Sequence, residues 1–387
     1  MRNYDLSEEQ QILRDSVRDF AEKEIKPVAE HLDEKEEFSL DLVKKMSELG
    51  LFGMFVSEEY GGSEAGYVAY IIAVEELARV DGSHAATVAA GNSLGIGPIY
   101  YFGSEAQKRE LLPKLCSTDP KEFRLSAFGL TEPNAGSDAG GSKTNAHLEG
   151  GNWVINGSKI FITNSTNDIS GLTIVQAITG KRDGGKKEYS CIIVPKGTPG
   201  FKPVTMHKKL MWRASDTGEL YFEDCRVPEA NLLGERGAGF HQMLSTLDGG
   251  RLSIAAMGLG CAQGAYEAAL RYAQERQQFG KPIGKFQAVA FKLADMAMEI
   301  EAARNMLYKA CWLKENHRPY ETLAAMSKLY CSEVSKRCAH AAVQIHGGYG
   351  LMKEYDVERF YRDQRLLEIG EGTSEVQRMV ISRRIGL

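Results

Sequence analysis

Several features that mark common protein classes are missing from this chain of 387 residues. Its seven cysteines are odd in number and include no C-x-x-C pair, which counts against a disulfide scaffold and a zinc site and favours a reducing compartment. No apolar run is long enough to cross a bilayer, and the polar, acidic N-terminus does not resemble a signal peptide. We therefore expect a cytoplasmic protein without a membrane partner.

Charge and short motifs exclude further classes. The formal charge is -5, from 47 basic and 52 acidic residues, so electrostatics give no reason to expect nucleic acid as a partner. The sequence has no Walker-type loop, H-E-x-x-H or G-x-S-x-G, and Gly258, Gly260 and Gly264 lack the spacing of a nicotinamide fingerprint. The eight histidines are dispersed, so no metal site is predicted, and His346 is expected to be structural.

What the chain does contain predicts three domains of an α+β fold. Residues 1–125 carry helix signals, including capping boxes that begin at Ser7 and Ser104. Residues 126–232 show short apolar runs between turn pairs, and the pair Asn156-Gly157 predicts a tight hairpin. Residues 233–387 return to the helical period, with a heptad seam from Val289 to Ala310 that is typical of a helical bundle.

The most informative segment sets Glu371 between Gly370 and Gly372. Glycines remove side-chain bulk and permit unusual backbone angles, so a flat ligand could approach the carboxylate, while Thr373 can cap the following helix. On these residues alone, a solvated glutamate at the start of a helix is the better interpretation, because short motifs match by chance.

Three further segments change that assessment: Leu130–Asp138, Arg276–Pro282 and Gln344–Gly350. In the first, Thr131 and Ser137 offer hydrogen-bond partners that suit a heteroaromatic ring edge or a thioester arm, and equally a capped loop. In the second, Arg276 follows a helix and is free to bind an anionic group. An arginine at the end of a helix more often only stabilises that helix, through its favourable interaction with the helix dipole. The combination is far more specific than any one segment.

In their order and separations, these segments resemble the acyl-CoA dehydrogenase family along essentially the whole chain. The resemblance implies an N-terminal helical domain, a middle β-barrel-like domain and a C-terminal four-helix bundle. It also implies FAD as cofactor, an acyl-CoA substrate, and electron-transferring flavoprotein as electron acceptor.

The resemblance further implies which residues hold the cofactor. Leu130 and Thr131 would contact the flavin ring edge, and Phe161 and Thr163 would lie against the isoalloxazine, with Phe161 where many relatives have tryptophan. The alternative is that Phe161 and Thr163 belong to the core of the β-sheet, because a sheet core uses the same residue types. The remaining cofactor residues, most of them expected to reach a neighbouring subunit, are Arg276, Gln278, Phe279, Gln344, Gly347, Gly348 and Thr373. The protein is therefore expected to be at least a dimer, and family members are commonly tetramers.

By the same resemblance, Glu371 removes the α-proton while the β-hydrogen leaves as hydride to flavin N5, which gives a 2-enoyl-CoA. Some relatives place the catalytic glutamate just before the arginine at position 251, but this chain has Gly250 there. Gly370 stands where straight-chain relatives often have tyrosine, so a short or bulky acyl group, alicyclic, aryl or branched, is expected. The substrate residues are taken to be Ser137, Asp248, Arg251, Gly370 and Gly372.

Three alternatives remain open at this level. The same chemistry could run backwards as an enoyl-CoA reductase, or oxygen could serve as acceptor in an oxidase. A relative that kept the fold without turnover could bind flavin or associate with DNA, although Glu371 and the absence of a basic domain argue against it.

Overall fold

A computed structural model describes residues 6–387. The first five residues, part of the polar N-terminal segment considered above, lie outside the described residues. The chain has an α+β fold, in which N-terminal helices are followed by a sheet domain and then by C-terminal helices.

Helices form the first part of the chain because their starts are capped locally. Both predicted capping boxes are confirmed: Ser7 Oγ accepts from Gln10 N and Ser104 Oγ from Gln107 N, each at 3.2 Å. The helices are α1 Glu8–Phe20, α2 Lys26–Lys35, α3 Leu40–Glu48, α4 Tyr67–Ala78, α5 Gly82–Ala90, α6 Gly97–Phe102 and α7 Glu105–Leu115. Short π-helical segments, Ala21–Ile25 and Gly91–Ile96, follow α1 and α5.

The middle of the chain forms one eight-stranded sheet. The strands are β1 Leu125–Gly129, β2 Asn145–Glu149, β3 Asn152–Thr163, β4 Ser170–Lys181, β5 Lys187–Pro195, β6 Phe201–Thr205, β7 Thr217–Pro228 and β8 Leu232–Leu233. Seven of them follow one another in the order β6-β7-β3-β2-β4-β5-β8, and β1 pairs in parallel with β4. Buried side chains such as Trp153, Ile155, Phe201 and Phe222 fill a separate core in this domain.

The predicted hairpin at Asn156-Gly157 is wrong. Both residues lie inside the continuous strand β3, where the register against β7 shifts between Ile155 and Gly157. A Cβ atom on Gly157 would lie 2.5 Å from Thr144 Oγ1, so the glycine serves a close approach of the backbones at a bulge. The turn that joins β2 to β3 lies instead at Gly150-Gly151, with φ angles of 58° and 77°.

The last part of the chain is helical, as predicted. The heptad seam lies in α9, where Leu293, Met296, Ile300, Ala303, Leu307 and Ala310 are buried and Val289 is half-buried. The helices are α8 Gly239–Glu275, α9 Gln287–Glu315, α10 Glu321–His346, α11 Val357–Leu367 and α12 Ser374–Arg384, with a two-stranded ribbon of β9 Gln277–Gln278 and β10 Lys281–Pro282 after α8. Over residues 6–387, no helix is both long enough and apolar enough to cross a membrane.

Helix α8 links the two helical regions. It packs against α4 of the N-terminal part and against α9, α10 and α11 of the C-terminal part. One hydrophobic core therefore runs through both regions, and the middle of α8 is buried within it from Gly249 to Ala262. This burial places Gly249 and Gly250 in the interior, where Glu371 of the loop after α11 reaches Gly250.

Candidate active site

Glu371 occupies a short loop between α11 and α12 that is held on both sides. Its backbone is left-handed, with φ 50°, and Gly372 follows with φ 91°. The Lys328 ammonium on α10 donates to the Gly372 carbonyl at 2.7 Å, and the Gln377 amide donates to the carbonyls of Glu371 and Gly372 at 3.2 and 3.0 Å. Thr373 caps α12 by accepting from Val376 N at 3.3 Å. Hydrogen bonds from two helices, α10 and α12, therefore hold the loop.

The Glu371 carboxyl points inward rather than into solvent. A Cβ atom on Gly250 would lie 1.8 Å from Glu371 Oε2, so the carboxyl group rests directly on this glycine of α8. Oε2 is buried and has no hydrogen-bond partner among residues 6–387. Glu371 as a whole is half-buried, but a buried carboxylate oxygen without a partner is costly unless a ligand completes it, so the solvated-glutamate interpretation does not hold.

Burial raises the pKa of Glu371 to about 7, against the opposing effect of the positive charges on Lys328 and Arg251. Burial in turn lowers the pKa of Lys328 to about 8. Arg251 is itself buried and forms an ion pair with Asp248, while its Nε has no partner within the described chain. A carboxyl group with a pKa near neutrality is suited to accept a proton at physiological pH.

The first predicted cofactor segment lies against β3. The Ile160 N–H donates to the Thr131 carbonyl at 2.9 Å, which brings Thr131 beside Phe161. A buried ion pair fixes this contact: Lys159 Nζ lies 2.9 Å from Glu132 Oε1 and donates to the Leu130 carbonyl at 3.0 Å. Leu130 and Thr131 are half-buried, whereas Ser137 is exposed farther along the same loop.

Phe161 does not belong to the sheet core. It has a φ of 63° at an irregular point of β3, and 63% of its surface is exposed. A left-handed backbone conformation is strained for phenylalanine within a strand. The exposed ring also leaves a flat apolar face uncovered. Thr163, two residues on, is half-buried. The core-residue alternative is thus excluded for Phe161.

Helix α5 and the π-helical segment after it connect the two parts of the site. Asn164, which follows β3, donates to the Thr87 carbonyl of α5 at 3.0 Å. Ser93 in the π-helical segment lies 3.4 Å, hydroxyl to hydroxyl, from Ser253 on α8. The end of β3 and the turn of α8 that carries Gly250 are therefore held by the same piece of helix.

The residues expected to serve a neighbouring subunit lie together on a different surface. Phe279 is 93% exposed at the tip of the β9–β10 ribbon, with Gln278 also exposed beside it. The Arg276 guanidinium lies 5.5 Å from the centre of the Tyr349 ring. This contact joins the ribbon to the turn after α10. Gln344, Gly347 and Gly348 are exposed there, and a Cβ atom on either glycine would meet nothing within 4 Å.

His346 lies next to these glycines but faces inward. It is buried, its Nδ1 is 2.8 Å from the Ala342 carbonyl, and its ring stacks on Tyr272 at 4.2 Å. These contacts suit the structural role expected for it.

Comparison with known families covers all parts of the chain. Three family models match: "Acyl-CoA dehydrogenase, N-terminal domain" over residues 7–119, the middle domain over 127–225 and the C-terminal domain over 237–386. This chain belongs to the acyl-CoA dehydrogenase family.

The residues described above fit a flavin dinucleotide. Phe161 offers an open aromatic face, Arg276 offers a cation, and the glycines at 347 and 348 leave their backbone uncovered.

Curated relatives of this acyl-CoA dehydrogenase match over nearly their full length. A probable acyl-CoA dehydrogenase, YngJ, of Bacillus subtilis is 53% identical over 99% of both chains. The short-chain specific acyl-CoA dehydrogenase of Clostridium acetobutylicum is 46% identical over 99% of both. An acryloyl-CoA reductase (NADH) of Anaerotignum propionicum is 42% identical over 99% of this chain and 96% of its own.

Solved structures agree with the same family. Butyryl-CoA dehydrogenase from Megasphaera elsdenii superposes with a TM-score of 0.94 at 42% identity, over 99% of this chain and 100% of its own. A chain of a structure described as electron transferring flavoprotein of Acidaminococcus fermentans gives 0.95 at 44% identity over all of both chains. Acyl-CoA dehydrogenase from Bacillus anthracis, complexed with FAD, gives 0.92 at 36% identity, over 100% of this chain and 69% of its own.

Several residues of the site were not predicted from the sequence. Lys328 recurs at helical spacing with the buried Ala324 and Cys331, so a lysine on an otherwise small and apolar helix face was an available signal. Gln377 carried no signal of its own, because a glutamine near the start of a helix is ordinary. In the sequence, Gly250 was noted only because some relatives have their catalytic glutamate at this position. The structure shows that its missing side chain leaves room for the carboxyl group of Glu371.

Proposed function

We propose that this protein is an FAD-dependent acyl-CoA dehydrogenase that converts an acyl-CoA thioester to its 2-enoyl-CoA with Glu371 as the base. The observation that carries the proposal is the Glu371 carboxyl, whose Oε2 is buried without a hydrogen-bond partner among the described residues and whose pKa is raised to about 7 by burial. Family membership supplies the cofactor and the acyl-CoA chemistry.

The α-hydrogen of a thioester is weakly acidic, so its removal requires a positioned base and stabilisation of the developing enolate oxygen. Glu371 accepts this proton at its carboxylate, and its backbone N–H is proposed to bind the thioester carbonyl. The hydride that leaves the β-carbon would need an acceptor, and bound FAD would supply that redox chemistry. Lys328 holds the loop through Gly372 and limits the rise in the pKa of Glu371.

The cofactor is proposed to contact Leu130, Thr131, Phe161, Thr163 and Thr373 within one subunit. The exposed surface around Phe279, Arg276 and the glycines at 347 and 348 is proposed to reach the FAD of a neighbouring subunit, so the active unit is at least a dimer and in this family commonly a tetramer. The domains are proposed to divide near residues 125 and 232, and electron-transferring flavoprotein is the proposed acceptor in the cytoplasm.

The substrate is proposed to be a short or bulky acyl-CoA, with Ser137, Asp248, Arg251 and the two glycines beside Glu371 in contact with it. Gly370 supports this, because the atoms nearest to a Cβ built there belong to Leu366 at 3.5 Å or more, so no side chain crowds that side of the base. Turnover of cyclohexanecarboxyl-CoA is compared with that of butyryl-CoA, and equal or faster turnover of the linear substrate contradicts the bulky alternative.

A second candidate function is reduction of an enoyl-CoA by the same residues in reverse. The 42% identical acryloyl-CoA reductase is the observation that favours it. The two directions are separated by measuring rates of acyl-CoA oxidation and enoyl-CoA reduction on the same preparation, and peroxide formation tests the oxidase alternative.

The base is tested with Glu371→Gln, which keeps the shape of the side chain and removes its ability to accept a proton. We expect the variant to retain FAD and to lose the bleaching of flavin absorbance by acyl-CoA without oxygen. Glu375→Gln, an exposed glutamate four residues on, is the matched control and retains bleaching. Bleaching of the Glu371→Gln flavin at the wild-type rate would remove the assignment.

A further inference from the structure

A pocket adjoins the Glu371 site along α8. Its walls include Tyr67, Tyr101, Ser93, Thr246, Gly249 and Lys314. Gly249 is the residue before Gly250, on which the Glu371 carboxyl rests, and the Tyr67 hydroxyl donates to the Gly249 carbonyl at 2.8 Å. An acyl chain whose thioester end lies beside Glu371 therefore has this pocket next to it for its far end.

The pocket contains an unpaired cation. Lys314 Nζ lies 4.8, 5.2 and 4.7 Å from the ring centres of Tyr67, Tyr101 and Tyr320. Its hydrogen bond within residues 6–387 is to the Tyr320 hydroxyl at 3.1 Å, and Lys314 forms no ion pair within 4 Å among those residues. An ammonium group has three N–H donors, so two of them are left without a protein partner.

The fold holds Lys314 in this place. It lies near the end of α9, and the next residue, Glu315, caps α4: its Oε1 accepts from the N–H groups of Tyr67 at 2.9 Å and Val68 at 3.4 Å. The end of α9 is thereby tied to the start of α4, which carries one of the three tyrosines. This contact fixes the backbone next to Lys314, so its ammonium group starts from an anchored helix end and not from a mobile surface segment.

Three of the other polar groups of the pocket are already used as donors, whereas the hydroxyl groups of Tyr101 and Ser245 also line it. Ser93 and Thr246 donate to carbonyls of their own helical segments at 2.7 and 2.8 Å, and Tyr67 donates to Gly249. Burial lowers the pKa of Lys314 to about 8, so most of it is protonated at neutral pH. Of the acidic neighbours, Asp248 is paired with Arg251, and Glu321 accepts from the Tyr320 N–H at 3.2 Å. Lys314 is thus the one charged donor among the described residues that line the pocket.

We propose that this pocket selects acyl groups whose far end carries an oxygen acceptor, a carboxylate above all, and that Lys314 is the residue that determines this specificity. The proposal rests on the proposed function and narrows its substrate class to short acyl-CoA thioesters with a polar end, such as monothioesters of dicarboxylic acids. A carboxylate would fill the two free N–H donors, and the tyrosine faces would enclose the methylene groups before it.

The test compares acyl-CoAs of equal length that differ only at the far end: butyryl with succinyl, valeryl with glutaryl, and hexanoyl with adipyl. We expect the wild-type holoenzyme to show a kcat/KM at least about tenfold higher for the acid-ended member at one of these lengths, as a charge-assisted hydrogen bond provides. Lys314→Met, similar in length and uncharged, is expected to abolish that preference while kcat/KM for the methyl-ended chain stays within about threefold. Lys314→Arg, which keeps the charge, is expected to retain it.

Two results overturn the proposal. One is a wild-type preference for the methyl-ended chain at every length, and the other is an equal loss for both ends in Lys314→Met, which is what a purely structural lysine would give. Either result, with flavin still bleached by methyl-ended chains, leaves the dehydrogenase function intact. Failure of every acyl-CoA in the panel to bleach the wild-type flavin would instead count against the proposed function itself.

Discussion

The substitution Gly250→Ala tests the geometry of the base directly. A Cβ atom at this position would lie 1.8 Å from Glu371 Oε2, 2.7 Å from Cδ and 3.2 Å from Oε1. Non-bonded carbon and oxygen atoms do not approach closer than about 3.0 Å in folded proteins. The carboxyl group must therefore move by roughly 1.2 Å or more to make room for the new methyl group.

A displacement of this size is large for catalysis. Misplacement of a reacting group by about 1 Å can cost on the order of 10²-fold in rate, or about 2.7 kcal/mol. The helix itself gains from the change, since alanine is favoured over glycine in a helix interior by about 1 kcal/mol. We therefore expect a loss of activity without a comparable loss of stability.

The assay is single-turnover bleaching of the flavin by acyl-CoA in the absence of oxygen, with FAD content and melting temperature measured on the same samples. We expect Gly250→Ala to bind FAD, melt near the wild type and bleach about 10²-fold more slowly. In the Glu371→Gln background, Gly250→Ala should cost nothing further, because both changes act through one carboxyl group. Bleaching of Gly250→Ala at the wild-type rate would refute the placement of the Glu371 carboxyl against Gly250.

Two further predictions concern pH and the subunit surface. The bleaching rate should rise with pH through about 7, because only deprotonated Glu371 accepts a proton, and Lys328→Met should move the midpoint upward by removing a positive charge that lowers the pKa of Glu371. The exposed Lys336→Met on the same helix is the control, and an unmoved midpoint in Lys328→Met would contradict the reasoning. Phe279→Ala should lower both the flavin-to-protein absorbance ratio and the oligomer fraction in sedimentation, whereas Ile12→Ala, at another exposed apolar residue, should change neither. Equal effects of these two substitutions would exclude a specific role for the ribbon.

Structural features that depend only on residues three or four positions apart in the chain could be predicted from the sequence. The capping boxes at Ser7 and Ser104 and the buried seam of α9 are of this kind, since a helix brings residues at that spacing together whatever surrounds it. The turn signal at Asn156-Gly157 failed because pairing of β3 with β7 on both sides of the glycine outweighed the local preference.

The candidate site divides in the same way. The sequence determined that Glu371 is presented between glycines from a loop, and its order of motifs identified the family. The tertiary structure decided that the carboxyl lies on Gly250 of another helix, beside Lys328, and that Lys314 faces Tyr67 across a pocket. These groups are far apart along the chain, and only the packing of α8 against its neighbours sets their distances, burial and therefore their pKa values.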